Sequence, residues 1–138
     1  MFYRKSPRGQ NLVEFTLVLM VLVMIAIGAL DLGRVFHTVI TITNSSREGA
    51  RYLTLHPDDT ATGFTGTKNA AMREAQGSLV NLTPSDVSVT YCRQLDTLEG
   101  CDSGFPVRVT VSYNFQLISG LLFSGSVPLT RSTQMIVP

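Results

Sequence analysis

The chain has 138 residues, of which 44% are hydrophobic and only 15% are charged. Soluble domains carry about 25% charged residues, and disordered chains have low hydrophobicity. The composition therefore excludes a disordered chain, and the length predicts one domain with an appendage. The formal net charge is +1. A nucleic-acid-binding protein should show a basic face or stripe, and none is evident, so we expect no nucleic-acid partner.

The first predicted element is a membrane-spanning helix. Residues 1–9 carry three basic residues and no acidic one, and an apolar run from Leu12 to Leu32 follows. As a helix this run is about 31 Å long, which matches a bilayer core of about 30 Å. Because flanking basic residues stay in the cytoplasm, we expect the C-terminal region to lie outside. The alternatives are a buried core helix and a cleaved secretory signal, whose apolar region is usually about 7–15 residues long.

The helical pattern continues beyond the membrane. Seven side chains share one stripe, which we expect to pack on the outer domain: Leu32, Val35, Phe36, Val39, Ser46, Ala50 and Leu53. Five polar residues are expected at the surface: Arg34, His37, Thr41, Asn44 and Glu48. Pro57 disfavours a helical conformation at His56. One helix from about Asn11 to Leu55 is therefore predicted.

The remaining residues predict a small outer domain. The Gly- and Thr-rich stretch 57–67 indicates a loop, and apolar residues between 71 and 82 indicate a second, short amphipathic helix. A turn is predicted at 83–86, and alternating apolar residues predict strands over 87–91, 107–115 and, more weakly, 127–137. The predicted fold class is α+β, with a long N-terminal helix packed on a small antiparallel sheet.

Two cysteines, Cys92 and Cys101, bracket the loop between the first two predicted strands. An even number of cysteines on an oxidising, translocated side favours a disulfide, which would contribute about 2–3 kcal/mol. A metal site is the alternative, because Asp96, Glu99 and Asp102 are near. Two thiols without a histidine or a second cysteine pair do not make a zinc site, whereas calcium stays open.

No catalytic constellation is evident in the sequence. The two histidines, His37 and His56, lie on or at the end of the long helix, and no zinc-protease or phosphate-binding motif occurs. Ser103 lies in a segment faintly similar to that around a trypsin-like serine, but no histidine is placed to activate it. We expect no enzymatic activity, no cofactor and no metal.

Glu14 is the residue whose position most strongly suggests a function. It lies just inside the apolar helix, in the segment RGQNLVEF. A carboxylate within a membrane segment costs several kcal/mol unless it is paired, so its presence suggests a function. The alternative is that Glu14 lies near enough to the interface to reach water.

Three segments in this order, RGQNLVEF, ALDLGRVF and TNSSREGARY, resemble TadE-like pseudopilins of the tight-adherence (Flp, type IVc) pilus system. The resemblance covers residues 8–52 and implies a type IV pilin-like fold. It implies that residues 1–9 are a basic leader, which a prepilin peptidase removes between Gly9 and Gln10. It also implies that Glu14 and Phe15 serve subunit assembly.

The resemblance further implies partners and a location. The partners would be other pilin-like subunits, the prepilin peptidase, an inner-membrane assembly platform and membrane lipid. The protein would cross the bacterial cytoplasmic (inner) membrane once, or lie in an extracellular pilus after assembly. The expected parts are the leader 1–9, a transmembrane half-helix 10–32, an outer half-helix 33–56 and an extracytoplasmic α+β domain 57–138.

Several motif residues could contact either the outer domain or a neighbouring subunit: Asp31, Gly33, Arg34, Arg47, Glu48, Gly49 and Arg51. Asp31 and Arg34 are one helical turn apart and can pair, as can Glu48 and Arg51. The two glycines cost helix stability, about 1 kcal/mol each, and a close approach of another element would justify that cost. The sequence is compatible with both roles for these residues, namely docking of the helix on the outer domain and contact with another subunit.

The leading interpretation is a non-enzymatic pseudopilin, or minor pilin-like subunit, that acts in pilus assembly for adhesion or secretion. One alternative is a membrane-tethered binding domain that is neither cleaved nor assembled. Others are a filament-forming major pilin and, from the residues alone, a small extracytoplasmic enzyme. Cleavage before Gln10 would separate the first interpretation from the tethered domain.

Overall fold

The long predicted helix is the first element of the fold. A computed structural model describes residues 8–90, 104–118 and 125–138. Helix α1 runs from Arg8 to Leu55, 48 residues or about 72 Å at 1.5 Å per residue. It begins three residues before the predicted Asn11. It ends at the predicted Leu55, two residues before Pro57, whose ring disfavours a helical conformation at the preceding residue.

The apolar part of α1 from Gly9 to Ala26 is exposed throughout. Its most apolar 18-residue window has a mean hydropathy of 2.6, and none of that window is buried. The large apolar side chains from Leu12 to Ile25 are 46–70% exposed. A buried core helix is therefore excluded, and the helix is long and apolar enough to cross a membrane.

The region after α1 is more ordered than the sequence suggests. The predicted loop is wrong over most of its length, because residues Pro57–Thr62 form a 3-10 helix and helix α2 runs from Thr65 to Ala75. Gly63 and Phe64, with φ of 67° and 63°, make the turn between them. The predicted extension of the second helix to Leu82 is also wrong. The chain turns after Ala75, and Gly77 adopts a φ of 84°, a conformation that ends helices.

The predicted sheet is confirmed. Strands β1 (Val87–Thr90), β2 (Pro106–Gln116) and β3 (Ser126–Ile136) form an antiparallel sheet in the order β1-β2-β3. On β2 the apolar residues Val107, Val109, Val111 and Phe115 are buried, and the alternate polar residues are exposed or half-buried. Tyr91, the predicted end of the first strand, lies outside the described residues. The α+β fold class is confirmed.

The outer half of α1 packs on both α2 and the sheet. One core cluster joins Ile42 and Ala50 of α1 to Ala71, Val109 and Val111, and a second joins Leu53 to Val107 and Val137. A hydrogen bond of 2.7 Å between the hydroxyl groups of Ser46 and Thr133 links α1 to β3. The outer domain and the outer half-helix therefore share one core.

The predicted packing stripe of α1 is correct only in its C-terminal part. Ser46, Ala50 and Leu53 are buried as predicted, but Leu32 and Phe36 are 62% and 67% exposed. Val35 and Val39 are half-buried. Thr41, predicted at the surface, is buried together with Thr38, because each threonine hydroxyl donates to a carbonyl oxygen one turn back in α1, at 2.9–3.0 Å. Satisfied hydroxyl groups can therefore occupy the buried face.

Candidate functional site

The predicted processing and assembly residues lie in the first two turns of α1. Gly9, Gln10, Glu14 and Phe15 are all exposed, with Phe15 at 65%. Within the described part of the chain, Glu14 makes no hydrogen bond or salt bridge, although apolar side chains flank it on the helix. The structure thus presents an acidic group on an otherwise apolar, uncovered helix surface.

A polar junction joins α1 to the end of β2 where the apolar half of the helix ends. Asp31 is 4% exposed, and one of its carboxylate oxygens lies 3.2 Å from the Arg34 guanidinium group. The same oxygen accepts a hydrogen bond of 2.9 Å from the backbone N–H of Ile118. Asp31 and Arg34 thus form the ion pair that their spacing predicts, and Asp31 also holds the chain just beyond β2.

Arg34 adds two further contacts to this junction. Its guanidinium carbon lies 4.9 Å from the centre of the Phe115 ring, a cation–π geometry. Its Nη1 also lies 3.4 Å from the Gln116 carbonyl oxygen, a long hydrogen bond. A carboxylate and a guanidinium from one turn of α1 therefore position the C-terminal end of β2.

The two motif glycines of α1 have different surroundings. A Cβ atom added to Gly49 would lie 3.2 Å from both Ala71 Cβ and Val109 Cγ1, closer than ordinary packing allows. Gly49 therefore permits the close approach of α2 and β2 to α1. An added Cβ on Gly33 would meet nothing within 4 Å in the described residues. Docking within the subunit accounts for Gly49, whereas no described residue accounts for Gly33.

The second predicted ion pair lies at the surface. Arg51 donates two hydrogen bonds to Glu48, at 2.9 and 2.8 Å. This pairing lowers the pKa of Glu48 and raises the pKa of Arg51 from their ordinary values. Arg47 is also exposed. Exposed pairs contribute little to stability, so this pair is not what holds α1 on the outer domain.

The long helix α1 is similar to a known protein family. Residues 9–51 match the family model described as TadE-like protein. The matched range lies within α1 and includes the predicted cleavage site, Glu14, both ion pairs and both motif glycines. The resemblance to TadE-like proteins is confirmed over this range. No curated protein and no solved structure gives a significant match to the chain.

The TadE-like match ends before a buried acidic residue that sequence analysis missed. Asp59 is 8% exposed, and its carboxylate accepts four hydrogen bonds of 2.6–3.0 Å, from the Thr62 and Thr67 hydroxyls and the Gly66 and Thr67 amides. These two amides lie in the first turn of α2, where backbone N–H groups need an acceptor. Capping motifs usually place that acceptor at the residue just before the helix. Asp59 lies several residues earlier, so no local spacing indicates its role.

The hydrogen bonds to Asp59 control its ionisation. Burial alone would raise its pKa, but the donors from Thr62, Thr67 and Gly66 outweigh burial and hold the pKa below the ordinary value of 3.8. The carboxylate therefore stays ionised at neutral pH. Its negative charge at the N-terminus of α2 also interacts favourably with the helix dipole.

The remaining predicted site lies outside the described residues. Cys92 and Cys101, with the acidic residues Asp96, Glu99 and Asp102, fall within 91–103. The predicted disulfide and the calcium alternative therefore stay predictions. Among the residues that the structure does describe, no group of three or more His, Cys, Asp or Glu side chains is placed to hold a metal ion.

Proposed function

We propose that this chain is a pseudopilin-like subunit of the tight-adherence pilus system, with α1 anchored in the bacterial cytoplasmic membrane. The main support is that the TadE-like match falls on a helix whose most apolar window is left uncovered by every described residue. An isolated apolar surface of this length needs lipid or the helices of neighbouring subunits. In this proposal the role is structural and non-enzymatic, and the partners are other pilin-like subunits and an inner-membrane assembly platform.

The proposal includes cleavage by a prepilin peptidase between Gly9 and Gln10. Both residues are exposed at the N-terminal end of α1, beside the start of the apolar half. Cleavage would remove the basic residues of 1–9 and leave a free amine at Gln10. Mass spectrometry of the envelope protein should then find a mature chain that begins at Gln10, and an uncut chain in cells without the peptidase. A chain that begins at Met1 in both strains would favour the uncleaved membrane-tethered domain.

Glu14 provides the proposed assembly signal. The new amine at Gln10 lies one helical turn before Glu14, so it can pair with Glu14 of its own helix or of a neighbouring subunit. Either pairing offsets the cost of a charge in apolar surroundings. Pairing between subunits would also set their axial register, because any shifted arrangement leaves a carboxylate without its partner.

The experiment that tests this role replaces Glu14 and leaves the rest of the helix unchanged. Glu14→Leu should leave membrane insertion and cleavage intact, because it makes the segment more apolar, and should sharply reduce recovery in sheared pili. Thr16→Leu is the matched control, since it also makes the helix more apolar but keeps the carboxylate. Wild-type incorporation of the Glu14→Leu protein would contradict the proposed role and favour a carboxylate that simply reaches water.

A further inference from the structure

Three exposed apolar side chains lie at the end of the outer domain that faces the apolar half of α1. Leu79 is 81% exposed, Ile118 is 50% exposed and Val127 is 39% exposed. We refer to Leu79, Ile118 and Val127 as the apolar rim. They come from three separate parts of the chain, namely the segment after α2, the segment after β2, and β3.

Three different contacts place the rim beside the same turn of α1. The Ile118 amide is hydrogen-bonded to Asp31 at 2.9 Å. Leu79 lines a shallow cleft together with Gly33 and Arg34. Val127 pairs across the sheet with Phe115, whose ring lies 4.9 Å from the Arg34 guanidinium carbon. The rim is therefore at the level of residues 31–34.

This level corresponds to the outer boundary of a membrane that α1 spans. The helix carries no charged residue from Phe15 to Leu30, and Asp31 and Arg34 are the first charges after that run. Asp31 and Arg34 differ by about 4.5 Å along the helix axis. The headgroup layer on each side of a bilayer is about 5–7 Å thick, so residues at this level lie within it. An outer domain attached here cannot stand clear of the membrane surface.

We propose that the apolar rim inserts into the interface of the outer leaflet and seats the domain directly on the lipid. The inference rests on the proposed membrane anchoring of α1. Lipid is the occupant favoured here because the rim lies level with residues 31–34, where the uncharged run of α1 ends and a spanning helix leaves the bilayer core. The half-exposed Arg34 side chain lies at the same level, where a guanidinium group can reach lipid phosphate.

The absence of tryptophan from the sequence makes a direct test possible. Single tryptophans are introduced in the full chain as Leu79→Trp and Ile118→Trp, both at exposed positions that tolerate a larger side chain. Leu22→Trp reports on the span, and Leu55→Trp is the matched control, because Leu55 is 59% exposed at the far end of α1. Leu55 lies about 31 Å above Arg34 along the helix axis. The proteins are reconstituted in phosphatidylcholine and phosphatidylglycerol vesicles with brominated acyl chains, which quench nearby tryptophan.

The expected result is a blue-shifted emission and loss of intensity for Leu79→Trp, Ile118→Trp and Leu22→Trp, with no change for Leu55→Trp. Quenching of Leu22→Trp alone would overturn the lipid contact of the rim while leaving the membrane anchor in place. The rim tryptophans could instead show a blue shift that depends on protein concentration and is not accompanied by quenching. That result would overturn the lipid contact and assign the rim to a second copy of the chain. Failure to quench Leu22→Trp would overturn the anchor and the rim contact together.

Discussion

The Asp31 carboxylate accepts a 2.9 Å hydrogen bond from the backbone N–H of Ile118, a residue 87 positions away in the sequence. The same carboxylate oxygen pairs with Arg34 one turn along α1. Asp31 is 4% exposed, so its carboxylate is largely shielded from water. A single side chain thus connects the end of the apolar helix to the end of the sheet, and its removal should loosen that connection.

We expect Asp31→Leu to lower the free energy of unfolding of the detergent-solubilised chain by about 1.5–3 kcal/mol, the range for hydrogen bonds that involve a charged group. Asp31→Asn keeps an oxygen acceptor for the Ile118 amide but loses the charge that pairs with Arg34, so its loss should be smaller. Urea titration measures both values, and hydrogen exchange at Ile118 locates the effect. Equal losses in the two variants would mean that the hydrogen bond to Ile118 contributes nothing.

Asp59 should make the stability of the outer domain depend on pH. Its pKa in the folded protein is below the ordinary value of 3.8, which we take for the unfolded chain. Its stabilising contribution is therefore complete above about pH 3.8 and is lost as the pH falls towards the folded pKa. Thermal unfolding between pH 2 and pH 7 should show this decline in the wild type, and Asp59→Asn should reduce it.

Asp58 offers a matched control for that experiment. It lies next to Asp59 on the same 3-10 helix but is exposed. Asp58→Asn removes the same charge without removing an acceptor from the start of α2, so it should unfold like the wild type at every pH. If the two variants behaved alike, the hydrogen bonds to Asp59 would not be the source of the pH dependence.

The elements of this fold that could be predicted are those whose sequence pattern is local. Helix α1 was predictable because its apolar run and the position of Pro57 are local, and β2 because its alternation has a period of two. The packed face of α1 could not be predicted, because Thr38 and Thr41 have polar side chains. Each can be buried only because its hydroxyl donates a hydrogen bond to a carbonyl oxygen of the same helix. No local sequence pattern indicates the contact between Asp31 and Ile118, because the two residues are far apart in the chain.

The two glycines of α1 should respond oppositely to the same substitution. Gly49→Val places methyl groups against Ala71 and Val109, where a Cβ alone would already be at 3.2 Å, and should cost about 1–3 kcal/mol of stability. No described residue lies within 4 Å of a Cβ added at Gly33, so Gly33→Val should change stability by no more than about 0.5 kcal/mol. Urea titration of the two variants measures this difference. A large loss for Gly33→Val would show that Gly33 has a structural role inside the subunit.

The exposed apolar stripe on the outer half of α1 should serve subunit contact. Leu32, Phe36 and Ile40 lie on successive turns of one face of α1 and are 61–67% exposed, although the sequence predicted that Leu32 and Phe36 would pack on the domain. Phe36→Asn removes apolar surface that the subunit itself does not cover. Its effect on the free energy of unfolding should stay within about 0.5 kcal/mol, while incorporation into sheared pili should fall sharply.

Leu53→Asn is the contrasting variant for this test. Leu53 is fully buried in the core between α1 and the sheet, so an amide there should destabilise the subunit by several kcal/mol. Loss of incorporation by Leu53→Asn would accompany loss of folded protein, whereas Phe36→Asn should lose incorporation at a normal level of folded, membrane-bound subunit. Normal incorporation of Phe36→Asn would assign subunit contact to another face of α1, because a stripe that tolerates an amide at its central position is not packed against a neighbouring helix.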